Sequence, residues 1–154
     1  MAKNGAGTQR IVDFARLAPE LFTALERIDD AVRRGLPDQR LLELVKVRTS
    51  QINGCAFCLA AHSRMALKAG ETRERIFQLD GWRGSSAFSE RERAALSLAE
   101  SLTRIEAAGI PDEAYAMAAK HFSERELVYL ALAICSINTW NRLYITFGGN
   151  PRMV

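Results

Sequence analysis

Apolar residues recur along this chain at spacings of three and four, and no stretch joins period-two alternation to a hairpin turn. The pattern predicts an all-α protein with helices over roughly 19–34, 37–52, 55–69, 72–80, 90–107, 111–120 and 124–147. Gly35, Gly54, Gly70, Gly81 with Gly84, Gly109 and Gly148-Gly149 fall between them as stops or turns. Two helix starts repeat almost letter for letter, Phe88-Ser89-Glu90-Arg91-Glu92 and Phe122-Ser123-Glu124-Arg125-Glu126. In each, the serine can cap the first turn while the glutamate three residues on reaches back, the capping-box arrangement. Two copies followed by helices of different pattern do not make a repeat array. The segment from Leu127 to Phe147 is apolar on nearly all sides in its first half. Such a helix is expected at the centre of the domain or against another subunit, which makes a homo-oligomer an expectation.

Composition narrows this picture. With 154 residues, 48% of them hydrophobic, the chain can bury a real core, and one domain over 1–154 is expected, with its core at about 20–147 and flexible ends at 1–9 and 148–154. The net charge of +3 comes from basic residues scattered among acids, as at Arg33-Arg34, Lys46 with Arg48, and Arg73 with Arg75. That reads as solubility rather than a nucleic-acid footprint. Three cysteines and an N-terminus without an apolar run argue against secretion and a disulfide framework, so the expected location is the cytoplasm. No apolar run approaches the roughly 18 residues of a membrane span. No glycine-rich phosphate loop is present, so no cofactor is expected.

Low cysteine density makes the run Ser50-Gln-Ile-Asn-Gly-Cys55-Ala-Phe-Cys58-Leu-Ala-Ala-His62 the candidate chemistry. With a helix starting at Cys55 and about 100° per residue, Cys55, Cys58, His62, Met65, Ala66 and Ala69 share one third of the circumference. That face is small and apolar, so the reactive groups are expected to pack inward, with His62 in hydrogen-bonding reach of Cys58 directly or through water. A thiol with its ordinary pKa is mostly protonated at neutral pH, so a helix N-terminus or a neighbouring imidazole must favour the thiolate. After attack on a peroxide, a second thiol one turn away can close a disulfide over the sulfenic acid.

Other readings remain open at this level. The CxxC could be half of a zinc site completed by His62 and His121, though the customary second ligand pair is missing. It could also be a redox sensor without catalysis, or two inert core cysteines. A c-type haem would need histidine after Cys58, where Leu59 stands. Glu43 lies opposite the apolar side of its helix with Lys46 and Ser50, and periodicity reads it as solvated. His121 reads as a helix C-terminal cation, Cys135 as an inert hydrophobe, Trp140 as packing and Trp82 as a loop anchor.

The segment Glu43 to His62 resembles the alkylhydroperoxidase D (AhpD) branch of the carboxymuconolactone decarboxylase-like superfamily: a glutamate, twelve residues to the first cysteine, CxxC, then three residues to a histidine. The likeness extends through Gly70-Glu-Thr, Phe88-Ser-Glu-Arg-Glu-Arg-Ala-Ala-Leu and Ser136-Ile-Asn-Thr-Trp-Asn-Arg-Leu. The resemblance implies a compact multi-helix bundle assembling into trimers or hexamers, with thiol-dependent peroxidase activity towards hydroperoxides. It makes Cys58 the peroxidatic thiol, Cys55 the proton donor and resolving partner, His62 the proton relay, and Glu43 the group that orients it. The implied partner is a dithiol reductant, a lipoyl protein or a thioredoxin-like donor, with no nucleic acid and no membrane. The other branch of the superfamily would instead use Glu43 and His62 as acid and base on a lactone. Two features stand apart. Helix-end electrostatics favours Cys55 as the more acidic thiol, and the histidine that the branch places immediately before the second cysteine is Phe57 here.

Overall fold

Residues 13–105 and 109–148 are described by the computed structural model. In chain order its elements are α1 (Phe14–Leu17), α2 (Pro19–Gly35), α3 (Gln39–Asn53), α4 (Ala56–Lys68), α5 (Arg73–Gln78), a 3-10 segment (Leu79–Gly84), α6 (Glu90–Thr103), α7 (Asp112–Ala119) and α8 (Glu124–Phe147). No β-strand occurs among the described residues, so the all-α expectation holds. The expected flexible ends, Gly148 apart, lie outside the described residues.

Local chemistry explains the helix boundaries. Both capping boxes form: Ser89 and Ser123 each accept from the backbone three residues on, and Glu92 and Glu126 return the bond. Asp38 and Thr72 cap α3 and α5 with the side-chain bond alone, accepting from the backbone N–H of Leu41 and Arg75. Gly54 stops α3 with φ 68°, a left-handed conformation that costs glycine little. Gly35 has a different reason to be glycine: a Cβ there would stand 2.3 Å from the ring of Tyr129.

The differences from the sequence reading are local. Helix α1 is one turn long, too short to show periodicity, and Asp13 caps it. The stretch expected as a turn at Gly81 and Gly84 is a 3-10 segment that seats Trp82. There the indole donates to Glu100 Oε1 at 2.8 Å with the guanidinium groups of Arg83 and Arg93 over its ring, which agrees with loop anchoring. Helix α6 ends at Thr103, short of the expected 107.

Helix α3 packs against α4, α6 and α8, while α2 packs against α8. Its ten residues from Leu41 to Ser50 are all buried. The main apolar cluster joins Leu41, Leu42 and Val45 of α3 to Ala95 and Leu98 of α6 and Leu130 and Ile134 of α8. A second cluster, with Leu44, Val47, Trp82, Phe88 and Leu96, closes the other side of α3. Of the two places expected for α8, the centre of the domain is not the one its outer face takes: Val128 is 66% exposed and Leu132 40%, and Cys135, expected as an inert hydrophobe, is exposed. One face of α8 packs on the bundle, and the other, with Val128, Leu132 and Cys135, is exposed among the described residues.

Candidate active site

The turn between α3 and α4 sets the position of both thiols. Gly54 reverses the backbone, the Cys55 N–H bonds back to the Ser50 carbonyl at 3.1 Å, and α4 begins with Cys55 as its cap. Cys55 is therefore outside the helix proper, not its first helical residue as expected. Its Sγ accepts from the Cys58 N–H at 3.4 Å, as a serine would at that position. The two Sγ atoms stand 2.7 Å apart as free thiols, both buried.

That arrangement divides the charge between them. The Cys58 S–H donates to Cys55 and, with the backbone N–H groups of residues 58 and 57, outweighs burial and holds Cys55 down to about 7. The same shared proton, reinforced by burial and by the negative charge on Cys55, pushes Cys58 well above an ordinary thiol; the Asn141 amide partly opposes this. When the pair loses its first proton, the charge therefore falls on Cys55 and the remaining proton stays on Cys58. The Cys55 direction agrees with helix-end electrostatics. Access points the other way: Cys58 lines a cavity of about 250 Å³, whereas Cys55 does not.

Beside the thiols lies an ion-paired histidine. His62 Nδ1 and Glu43 Oε2 are 2.7 Å apart, and the other Glu43 oxygen is 2.9 Å from an Arg33 nitrogen. Burial alone would raise the Glu43 carboxyl. The His62 hydrogen bond and the charges of His62, Lys46 and Arg33 reverse this and hold it below the usual carboxylate range. An ionised Glu43 fixes the proton on Nδ1, leaving Nε2 free for chemistry. Among the described residues neither thiol is hydrogen-bonded to His62; both Cys58 and His62 line the cavity instead. Glu43 is 1% exposed, so the solvated reading from periodicity is corrected, and the reason lies in tertiary packing: Arg33 of α2 and His62 of α4 close over it.

The cavity is walled by aromatic rings. Phe57 stacks on Tyr144 at 4.0 Å between centroids, Trp140 lies 6.1 Å from Tyr144, and Phe22 meets Trp140 edge-on at 5.2 Å. Phe57 thus occupies the position before the second cysteine as part of an apolar wall. Burial and the charges of Cys58, Cys55 and Glu26 push the Tyr144 hydroxyl up, keeping it protonated. Trp140 does more than pack: its indole donates to Asp29 Oδ2 at 2.6 Å, and Asp29 also receives Ser136 Oγ at 2.9 Å and Lys46 Nζ at 3.1 Å. Asn53 joins α3 to α8 through Asn138 and Asn141 at 2.8 and 2.9 Å.

Sequence reasoning missed Arg33, Lys46, Asp29 and Tyr144. Lys46 carried a usable signal, since it follows Glu43 by three residues and must turn inward if Glu43 does. Asp29 and Arg33 on α2 carried none beyond being charged. Met65, placed on the reactive face, is exposed at the cavity mouth. His121 lies between α7 and α8, where its carbonyl accepts from Arg91, and it is not among the cavity residues. Among the described residues no group of three or more His, Cys, Asp or Glu side chains is placed to hold a metal ion.

The chain has relatives in sequence and in structure. The profile of the carboxymuconolactone decarboxylase family matches residues 19–101. The uncharacterized protein YdfG of Bacillus subtilis (strain 168) is 38% identical over 137 residues, covering 89% of this chain and 93% of its own. A crystal structure of a protein of unknown function from Agrobacterium tumefaciens, proposed to be the antioxidant defence protein AhpD, is 35% identical. Its TM-score is 0.87, over 92% of this chain and 97% of the other. The debrominase Bmp8 shares the fold at 22% identity and a TM-score of 0.75, over 88% and 75% of the two chains.

Proposed function

The chain belongs to the carboxymuconolactone decarboxylase family and is AhpD-like within it, and on that premise we propose that it is a thiol-dependent peroxidase for hydrogen peroxide or small organic hydroperoxides. The observation that carries the reading is Cys58 at the wall of an aromatic-lined cavity, with a second thiol 2.7 Å behind it and the His62–Glu43 pair beside it. As Cys58 attacks the terminal hydroperoxide oxygen, its proton passes to the Cys55 thiolate. An S–O bond forms, the O–O bond breaks, and the leaving alkoxide recovers that proton through His62. The Cys55 thiolate then attacks the sulfenic sulfur, hydroxide leaves and is protonated to water, and a Cys55–Cys58 disulfide remains. A dithiol, on a lipoyl protein or a thioredoxin-like donor, reopens it by exchange.

Cys58 is the attacking thiol in this scheme because it reaches the cavity, even though Cys55 carries the resting charge. The lactone reading, with Glu43 and His62 as acid and base, leaves the paired thiols without a part. Cytoplasm, where dithiol donors stay reduced, is the setting we infer; among the described residues no helix is long and apolar enough to cross a membrane. A homo-oligomer, trimeric or hexameric, belongs to the same reading and is supported by the uncovered apolar face of α8.

Peroxide turnover with several dithiol donors tests the proposal. Cys58→Ser should abolish consumption, and Cys55→Ser should stop the cycle at the sulfenic acid, visible by mass spectrometry. Undiminished turnover in Cys58→Ser would sink the mechanism. Bromide release from a bromoaromatic without peroxide consumption would move the activity towards that of the debrominase.

A further inference from the structure

Lys46 has no part in the reaction just described, yet among the described residues it is the most deeply buried cation, 1% exposed. It lies one turn beyond Glu43 on α3 and lines the same cavity as Cys58 and His62. Its ammonium carries three N–H donors. Among the described residues it has one acceptor, Asp29 Oδ1 at 3.1 Å. Ser136 and Trp140 hold Asp29 from α8, so both carboxylate oxygens are occupied and the ion pair is fixed from two helices.

A structural pin would account for the ion pair. It would not account for donors left over at the wall of a reactive cavity, where an unmet buried donor is costly. Arg33, whose side chain is 33% exposed, pairs with Glu43 and bonds Gln39 and Met65, and its remaining donors can be met by solvent. His62 has one ring nitrogen tied to Glu43. Lys46 is therefore the fully buried cation with hydrogen-bonding capacity to spare in the cavity that Cys58 lines. We propose that Lys46 is a catalytic residue of this cavity, donating to the oxygen that leaves when Cys58 cleaves a hydroperoxide.

The inference rests on the peroxidase reading. Cleavage puts negative charge on the leaving oxygen before a proton arrives. In an aromatic-walled cavity a fixed donor at that oxygen acts without the reorganisation that water would need. In the balanced step, Cys58 sulfur loses two electrons to the O–O bond and the new sulfenic acid keeps the terminal oxygen. The other oxygen departs as alkoxide against Lys46 and leaves as the alcohol once the proton held by Cys55 reaches it through His62. Lys46 gives up no proton in the net reaction; its bond to Asp29 holds it in place.

The test compares two oxidants of the same thiol pair in the whole protein. Hydroperoxides need a leaving oxygen to be stabilised, whereas diamide closes the Cys55–Cys58 disulfide without one. Lys46→Gln should slow oxidation by tert-butyl and cumene hydroperoxide about 10²–10³-fold, the loss typical of removing one such donor, and leave the diamide rate unchanged. The loss should be larger for the hydroperoxide with the more basic leaving alkoxide, and Lys46→Arg should recover most of the rate. Removing Lys46 alone strands the Asp29 charge, so a paired Lys46→Gln/Asp29→Asn variant, checked by circular dichroism, provides a second folded protein with both charges gone. A folded variant that reacts with hydroperoxides at the wild-type rate overturns the role of Lys46, and so does an equal loss towards both oxidants. Wild-type protein that diamide oxidises but no hydroperoxide does overturns the peroxidase reading itself.

Discussion

Helices α3 and α8 invert the usual relation between composition and burial. Helix α3 carries Glu43, Lys46, Arg48, Thr49 and Ser50 within ten consecutive buried residues, while the more apolar α8 leaves Val128, Leu132 and Cys135 in solvent. Burying a polar group is costly unless it is paired, and each of these has a partner. Glu43 meets His62 and Arg33, Lys46 meets Asp29, and Arg48 meets Glu100 at 2.8 Å together with Asp80. Ser50 Oγ donates to the Lys46 carbonyl at 2.8 Å and accepts from Asn141 at 3.1 Å. Replacing such pairs by apolar residues is often neutral or stabilising, so stability alone does not explain why the central helix carries them. The contrast teaches that burial in this bundle follows the position of a helix and the partners its side chains find, not its composition: Glu43 and Lys46 of α3 line or border the candidate cavity, while α8 keeps an apolar face exposed.

Glu43→Ala should break this contrast hardest. It leaves Arg33 and His62 facing an empty buried position, and removing one partner of a buried ion pair costs about 3–5 kcal/mol. Denaturant unfolding would read this directly. A loss within the range of a surface substitution would mean that Glu43 is not held as the geometry has it.

Glu43→Gln is the gentler change, keeping shape and losing charge. It should cost about 10²-fold in peroxide turnover, because Nδ1 of His62 is no longer fixed by an anion. Its pH signature has a definite sign. The folded Glu43 pKa is lowered, so as pH falls the unfolded chain takes up the proton first. The stability that Glu43 lends is therefore full above the ordinary carboxyl range and is lost as pH falls through the lowered folded value. Glutamine at this position should flatten that part of the acid limb; an unchanged limb would contradict the ion pair.

The same contrast explains what could be read from the sequence. The seven longest periodic segments and both capping boxes were legible because each is a local signal. One-turn α1 and the 3-10 segment were not, since each is too short for a helical period to repeat clearly, and the latter carries two glycines. Within the site, Cys55, Cys58 and His62 stood out by spacing. Periodicity misjudged Glu43, because a helix enclosed on every side has no outward face for its polar residues to occupy, and enclosure is decided by α2 and α4, not by α3. Asp29 and Arg33 stayed hidden for the same reason: a charged residue on an amphipathic helix reads as solvated until a partner is seen across from it.

Cys58→Ala sharpens the electrostatic side of the comparison. Cys55, lowered to about 7, should show thiolate absorbance that is present at neutral and higher pH and fades as pH falls through that value. Removing the Cys58 S–H removes the leading cause of the lowering, so the midpoint should move up towards an ordinary thiol. An unmoved midpoint would assign the shift to the backbone donors at the start of α4 instead.

The smallest effect on the folded subunit belongs to α8. Leu132→Glu alters an exposed residue that belongs to none of the buried apolar clusters among the described residues, so its cost to subunit stability should stay within about 0.5 kcal/mol. Its effect on assembly should be large by comparison. If α8 is the seam of the proposed oligomer, a carboxylate at position 132 must be desolvated in each copy, and light scattering should report the mass of a single chain. Val128→Glu, one turn earlier on the same face, should act alike. An oligomer that survives both substitutions has its seam elsewhere, and the exposed apolar stripe then loses its explanation. An oligomer that dissociates while each subunit keeps its unfolding midpoint would show that the two helices divide the labour, α3 holding the site and α8 the neighbour.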